Sequence, residues 1–468
     1  MVLDAIVQRT RRDVAARKDD TPLHSFDKLI APSDRSLEDA MRSPGTGFIL
    51  ECKKASPSQG VIRADFDPSA IAASYAPFAS AISVLTDAPH FQGSHAYLRQ
   101  VRQHVRQPVL CKDFIVDPYQ IFEARHHGAD AVLLMCSLLS SKELAELYAL
   151  ATELGLDALI EVHDSDEVVQ AVDAGARIIG INNRNLKTLD VDLATTDTLA
   201  PLIPDGAVRI CESGIRDHAD VVRLRSLVDG FLVGTSLMRH PDLDSAVRQL
   251  LFGRVKICGL TNPQDALRAH GAGALYGGLV FWPGSSRAVS ADTAPSVMAG
   301  APLRWVGVFV DAAMAEVHGT ATTLGLSAVQ LHGSEDDAYV RALREVLPSS
   351  CQLWRAKRMG GAAGTGIPDA TTLGMDRVLL DAFHAEQPGG TGQRFGWDAV
   401  ASHAGRHEII LSGGLAPENI QEADAIGCWG LDLSSGVEAE PGKKDAALLE
   451  NLFFTLRSGA VRSNRDTP

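Results

Sequence analysis

At 468 residues the chain is longer than one hydrophobic core ordinarily serves, which points to two or more domains. Its 44 basic against 58 acidic residues leave a formal charge of −14, and no Lys/Arg run offers a foothold to phosphate backbones, which argues against nucleic-acid binding. Seven scattered cysteines without a CxxC pair argue against a disulfide framework or a structural zinc and suit a reducing cytosol, and no stretch nears the roughly 18 uninterrupted apolar residues of a membrane span.

The first residues, MVLDAIVQRTRRDVAARKDD, are charged throughout and lack the apolar core of a signal peptide, so a cytoplasmic protein is expected. Residues 1 to about 43 read as amphipathic helix, with polar breaks near Thr21-Pro22 and Ala31-Pro32. Such a segment is either an appendage packed on one end of the next domain or a solvated arm. From Phe48 a regular alternation begins. Short apolar runs recur at Phe48–Lys53, Ala81–Thr86, Val109–Phe114, Ala131–Met135, Ala158–Val162, Ile178–Asn182, Arg209–Ser213 and Phe231–Gly234. Helical stretches such as Ser141–Gly155 and Asp164–Ala176 lie between most of them, the latter opening with Asp164 or Ser165 ahead of Glu167 as an N-terminal signal.

The stretch GRVKICGLT (Gly253 to Thr261) starts the pattern over. Its runs are Arg254–Cys258, Leu275–Phe281, Trp305–Val310, Ala328–Leu331, Gln352–Lys357, Arg377–Asp381, Glu408–Leu411 and Gly430–Leu433. Eight strands alternating with helices in about 200 residues is the complement of a (β/α)8 barrel. A doubly wound sheet would also alternate, but GxGxxG and GxxxxGK[ST] are absent. The expected fold is therefore α/β: two TIM barrels in tandem, residues 1–253 and 254–468, with a helical extension on the first. The polar tail RSGAVRSNRDTP after Leu456 is expected to fray.

Catalytic groups of such barrels sit at the C-terminal strand ends. In the first half the polar residues there are Glu51, Lys53, Lys112, Glu161, Asn182, Glu212 and Ser213. Any one of them would serve as a buried ion pair or a solvated strand end; converging from several strands, they read as an acid/base set. Crowded ammonium groups should lower one another's pKa, and a carboxylate among apolar neighbours should rise toward neutrality. No metal is signalled: HExxH is missing, and His126-His127 reads as a solvated helix end. Each half also closes with Gly- and Ser-rich strand ends, CESGI and FLVGTSLM in the first, LSGGLAPENI and LDLSSGVE in the second. These free backbone N–H groups to face an anion such as phosphate. The second half adds Cys258, Asp381 and Arg287. Cys258 is either a small buried apolar residue or a thiolate favoured by Lys256 on the same strand face. Asp381 also suits an N-cap or salt bridge, and Arg287 either forks onto a carboxylate or lies on the surface.

These motifs carry a resemblance that covers nearly the whole chain. Residues 48 to about 240 resemble indole-3-glycerol-phosphate synthase, through ECKKASPSQGVI, SVLTDAPHFQGS, CKDFIVDPYQI, LIEVHD, GINNRNL, CESGI and FLVGTSLM. Residues 254 to about 455 are similar to phosphoribosylanthranilate isomerase, through VKICGLT, GGLVFWPGSSR, VGVFV, VQLHG, GGTGQRFGWD (Gly389 to Asp398), LSGGLAPENI and LDLSSGVE. The resemblance implies an Amadori isomerisation followed by indole ring closure with loss of CO2 and water, acting on phosphosugar substrates; no cofactor or metal is expected from the residues, and a monomer is expected. It makes Asp381 the ring-opening acid, Cys258 the base and Arg287 the ligand of the anthranilate carboxylate, with Gly413, Gly414, Ser434 and Ser435 on phosphate. In the first half it makes Lys112 the acid, flanked by Lys53 and Glu51, and Glu161 the second proton-transfer group. Asn182, Arg184 and Glu212 position substrate, and Ser56, Ser58, Ser213, Gly214, Gly234 and Thr235 line the pocket. One departure is Gln59, where the family loop often reads SPSKG; it removes a positive charge near the mouth and is expected to tune affinity. There are two rivals. Intact Glu51, Lys53, Lys112 and Glu161 in one half and Cys258 and Asp381 in the other argue against one barrel having become a structural or phosphate-sensing module. Fold alone also allows a different phosphosugar isomerase or aldolase, but an aldolase would need a Schiff-base lysine without the carboxylate pair around it.

Overall fold

The structure, a computed structural model, describes residues 2–359, 367, 374–382 and 396–458. The motif residues 389–395 and the tail beyond Ser458 lie outside them. Contacts divide the chain between Val247 and Arg248 into two compact units. The first holds β1 (Gly47–Cys52), β2 (Ala81–Leu85), β3 (Val109–Lys112), β4 (Ala131–Met135), β5 (Asp157–Val162), β6 (Ile178–Asn182), β7 (Val208–Glu212) and β8 (Gly230–Val233). All are parallel, each beside its sequence neighbours, and β1 pairs with β8 to close the ring. The second unit repeats this with β9 (Val255–Cys258), β10 (Tyr276–Val280), β11 (Arg304–Phe309), β12 (Ala328–Leu331), β13 (Gln352–Met359), β14 (Arg377–Ala382), β15 (Ile409–Leu411) and β16 (Gly430–Leu433). There β9 pairs with β16, so the expected tandem of two eight-stranded barrels is what the chain forms.

Strand periodicity positions both sites. The interior of the first barrel is packed by Ile49, Leu110, Leu159, Ile178, Val208, Ile210 and their neighbours. Two residues on, at the C-terminal end of the same face, stand Glu51, Lys112, Glu161, and Glu212, with Asn182 four residues beyond Ile178. These strands thus spend their apolar residues on the core and their last inward position on chemistry. The second barrel does likewise: Ala328, Trp354, Leu379 and Ile410 pack its interior, and Gln330 and Asp381 follow at period two.

The N-terminal segment is a packed appendage, not a solvated arm. Helix α1 (Val2–Asp20) seats Val14 against Phe26 and Tyr119 and is tied to the barrel by Lys18–Asp117 (2.7 Å) and Arg17–Glu123 (3.5 Å). Helix α2 (Leu37–Arg42) starts where Ser36 Oγ accepts from Asp39 N at 3.0 Å. Its Leu37 and Met41 join the interior cluster and plug the barrel floor. Gly47 makes this possible, since a Cβ there would collide with the Met41 methyl. Met41→Ala is expected to destabilise the first unit by about 2–5 kcal/mol; an unchanged denaturation midpoint would show that the floor needs no plug. Of the two caps left open for the helix after β5, Asp164 is the one used: its carboxylate accepts from Glu167 N at 3.0 Å.

Candidate active sites

Every residue that the sequence assigned to the first site lines one cavity of about 670 Å3 at the C-terminal strand ends. Lys112 is its hub. Its Nζ stands 3.0 Å from Glu161 Oε2 and 3.3 Å from Glu212 Oε2, while Lys53 Nζ pairs with Glu51 Oε1 at 2.7 Å. Burial alone would push the Lys112 ammonium down, but Glu161, Glu212 and Glu51 more than reverse it, holding it above the usual lysine range. The expectation that crowded lysines would depress each other is therefore overturned for Lys112, because carboxylates surround it. Burial raises Glu212 to about 7, against Lys112, as a carboxyl among apolar walls should rise. Glu161 resists the same burial: Lys112, His163 and Asn182 hold it below the usual carboxylate range. Ser56 and Ser58 reach the cavity from a small hairpin pairing Ala55–Ser56 with Gly60–Val61, which also brings Gln59 to the wall. Asn182 Oδ1 accepts from Arg184 N at 2.9 Å, shaping the turn after β6. Ser213 (φ 62) and Gly214 (φ 88) both take the left-handed conformation after β7, opposite Gly234 and Thr235 after β8.

In the second unit Cys258 and Asp381 stand at the C-terminal ends of β9 and β14, on the same rim. Cys258 is buried, with Lys256 two residues earlier on the same strand face. Lys256 does favour the thiolate, but burial outweighs it and keeps the thiol above its ordinary range. Gly278 on the neighbouring strand leaves the sulfur room: a methyl there would fall 2.8 Å from Sγ. The fork expected of Arg287 forms within the chain, Nε and Nη2 reaching Glu438 at 3.0 and 2.7 Å, and Lys444 Nζ meets the same carboxylate at 2.7 Å. Gly413 (φ 83) and Gly414 (φ 68) turn left-handed after β15, a conformation that glycine adopts freely. In the next loop Ser434 Oγ donates to the Cys258 carbonyl at 3.3 Å, and Ser435 opens a short 3-10 turn.

A family model described as indole-3-glycerol phosphate synthase matches residues 3–250, and one described as N-(5'phosphoribosyl)anthranilate (PRA) isomerase matches residues 255–455. The chain belongs to both families. Its synthase and isomerase activities share one polypeptide, a bifunctional enzyme of tryptophan biosynthesis. Two relatives have the same arrangement end to end. The tryptophan biosynthesis protein TrpCF of Vibrio cholerae serotype O1 is 49% identical over 457 residues, covering 98% of this chain and 96% of that protein. The protein of that name from Salmonella typhi is 49% identical over 457 residues, covering 98% and 99%. Among solved structures, a phosphoribosyl anthranilate isomerase from Thermus thermophilus shares 34% identity, covering 44% of this chain and 98% of that one, with a TM-score of 0.39.

The sequence reading gave no role to several residues of both sites. In the synthase barrel His163 Nε2 lies 3.4 Å from Glu161 Oε1 and its Nδ1 3.0 Å from Glu167. Burial works against its charge, but the two carboxylates raise it to about 10, so it is an imidazolium at neutral pH. In the isomerase barrel Lys256 Nζ is 3.0 Å from Asp432 and 2.9 Å from Gln330, and His332 faces Asp381 at 3.3 Å. The strand alternation would have placed Gln330, His332 and Asp432 inward, which is the signal available for them. The His126-His127 pair needs correction: it is half-buried, His126 packing on Phe26 (4.8 Å) and His127 on His95 (4.9 Å) under the N-terminal segment. His95, Glu123 and His127 bring donor atoms within 4.8 Å of one another. The two imidazoles are nearly parallel, however, so their lone pairs run side by side, and Arg17 occupies Glu123 at 3.5 Å.

Proposed function

We propose that the two reactions run in sequence and divide at Gly253, the isomerase in residues 254–468 feeding the synthase in residues 1–253. In the isomerase, Asp381 gives its carboxyl proton to the ribose ring oxygen of N-(5′-phosphoribosyl)anthranilate. The C1′–O bond breaks, leaving an iminium at the anthranilate nitrogen. Cys258 as thiolate takes the C2′ proton, the C–H electron pair forms the C1′–C2′ double bond, and the nitrogen is neutralised. Ketonisation gives 1-(o-carboxyphenylamino)-1-deoxyribulose 5-phosphate. Arg287, held on its other edge by Glu438, meets the anthranilate carboxylate. Gly413, Gly414, Ser434 and Ser435 bind the phosphate through the paired loops after β15 and β16.

In the synthase, the ring carbon bearing the carboxylate attacks the C2′ carbonyl while Lys112 protonates its oxygen. Loss of CO2 restores aromaticity. Water then leaves, and Glu161 accepts the proton released in that dehydration. Lys53 and Glu51 flank the acid, Asn182, Arg184 and Glu212 orient the substrate, and Ser56 and Ser58 line its pocket. Ser213, Gly214, Gly234 and Thr235 hold its phosphate. The observation that carries this reading is Lys112 held between Glu161 and Glu212 in the wall of the cavity. Each transferred proton has a side chain at hand, so the reaction is read as needing neither metal nor coenzyme. Both sites are built from one chain, which suits a monomer. All seven thiols are free, six of them buried, which suits a cytoplasmic enzyme. The test is to give the full chain the isomerase substrate alone and separate the products: indole-3-glycerol phosphate is expected, and accumulation of the ketose without it would refute a working synthase barrel.

A further inference from the structure

A chain of inward side chains links the two ends of the isomerase site, and its donors and acceptors can be assigned in one direction only. Lys256 is almost wholly buried, and its ammonium has donors and no acceptor. Its contact with Gln330 at 2.9 Å therefore has to fall on the amide oxygen, as it does. That fixes the amide orientation, and Gln330 Nε2 then faces His332 Nδ1 at 3.0 Å. An amide nitrogen only donates, so His332 Nδ1 has to accept. The imidazole proton is thereby left on Nε2, a buried nitrogen that lies 3.3 Å from Asp381 Oδ2 and is not yet aligned for a hydrogen bond. Cys258 stands two residues on from Lys256 on the same strand face, and Asp432 holds the Lys256 ammonium at 3.0 Å.

We propose that His332 is a positioning residue for Asp381, and that Lys256 and Gln330 lock it in the tautomer that presents Nε2–H to the Asp381 carboxylate. This rests on the reading of Asp381 as the ring-opening acid. As the imidazole turns into line, its Nε2–H steadies Oδ2, 3.3 Å away, while Asp381 carries its proton toward the ribose oxygen. When Asp381 has given that proton away, the same Nε2–H donor stabilises the carboxylate it becomes. The lysine beside the base thus sets the hydrogen-bonding state of the acid five strands further along the chain.

Nitrogen-15 NMR of the imidazoles in the full chain, with His332→Gln identifying the signal, tests the lock without reference to turnover. His332 is expected to carry its proton on Nε2, and a proton resident on Nδ1 would overturn the assignment. Gln330→Glu replaces the donor to Nδ1 by an acceptor and should draw a proton there. Its isomerase kcat is expected to fall by about 10²-fold with KM little changed, the loss appropriate to a misplaced general acid. His332→Leu should show the same split, and His332→Gln, whose amide N–H reaches the position of Nε2, should restore much of the rate. Wild-type kcat in both Gln330→Glu and His332→Leu would sink the positioning role even with the tautomer as assigned. Asp381→Asn separates the underlying reading: full activity there would remove the acid, whatever His332 does. All five tryptophans of the chain lie in the isomerase half, so near-ultraviolet circular dichroism reports whether each variant has folded.

Discussion

Lys112→Ala is expected to slow indole ring closure by at least about 10³-fold while the isomerase of the same molecule keeps its rate. General acids contribute about 10²–10⁴-fold, and a donor aimed at a developing alkoxide adds to that. The substitution also removes the cation that three buried carboxylates share. Losing one partner of a buried ion pair costs about 3–5 kcal/mol, because the others are left charged and unsolvated. Glu161 and Glu212 should respond by taking up protons. The synthase unit of the variant should therefore lose stability as pH rises and these groups are forced to ionise, the reverse of the usual carboxylate behaviour. Assaying both products in one sample at pH 6 and pH 8 checks the prediction. Comparable loss of both activities in folded protein would show that the two sites are not independent.

The mirror experiment is Cys258→Ala, with expected loss of isomerase turnover by about 10³-fold or more and normal ring closure from supplied ketose. Here the pH dependence has a definite sign. Burial holds the thiol above its ordinary range despite Lys256, so at neutral pH the thiolate is the minority form. Raising the pH toward the folded pKa increases the reactive fraction by about tenfold per unit, and isomerase kcat should climb with it. A flat profile between pH 6 and 9, where thiolate formation should limit the rate, would remove Cys258 as the base.

Both barrels were legible because parallel strands are buried on both faces and print as apolar runs separated by helices. The chemistry at their ends was legible for a related reason. A charged residue closing an apolar run, as in Lys112 or Asp381, is costly without a partner or a ligand, and it stands out. What did not show were groups whose meaning lies in a partner far along the chain. Glu438 meets Arg287 across 151 residues, and Gln330 meets Lys256 across 74. No spacing rule connects them, and a histidine just past a strand end, as at 163 or 332, reads the same whether it packs or aims a carboxylate. The balance of opposing forces was equally hidden. Sequence placed Lys256 beside Cys258 but could not weigh its attraction against burial, and it counted two lysines in the synthase mouth without seeing that carboxylates encircle one of them.

Ile6 of α1 forms part of the wall of the synthase cavity, though the helix that carries it belongs to none of the eight β/α units. The barrel therefore supplies the reactive groups, and a separate piece of chain supplies part of the enclosure. Trimming that piece would leave every lysine and carboxylate in place around a room with one side missing, harming substrate retention before bond formation. By the same division of labour, the helix is where bulkier aromatic rings can be admitted through redesign, at a distance from the proton-handling machinery.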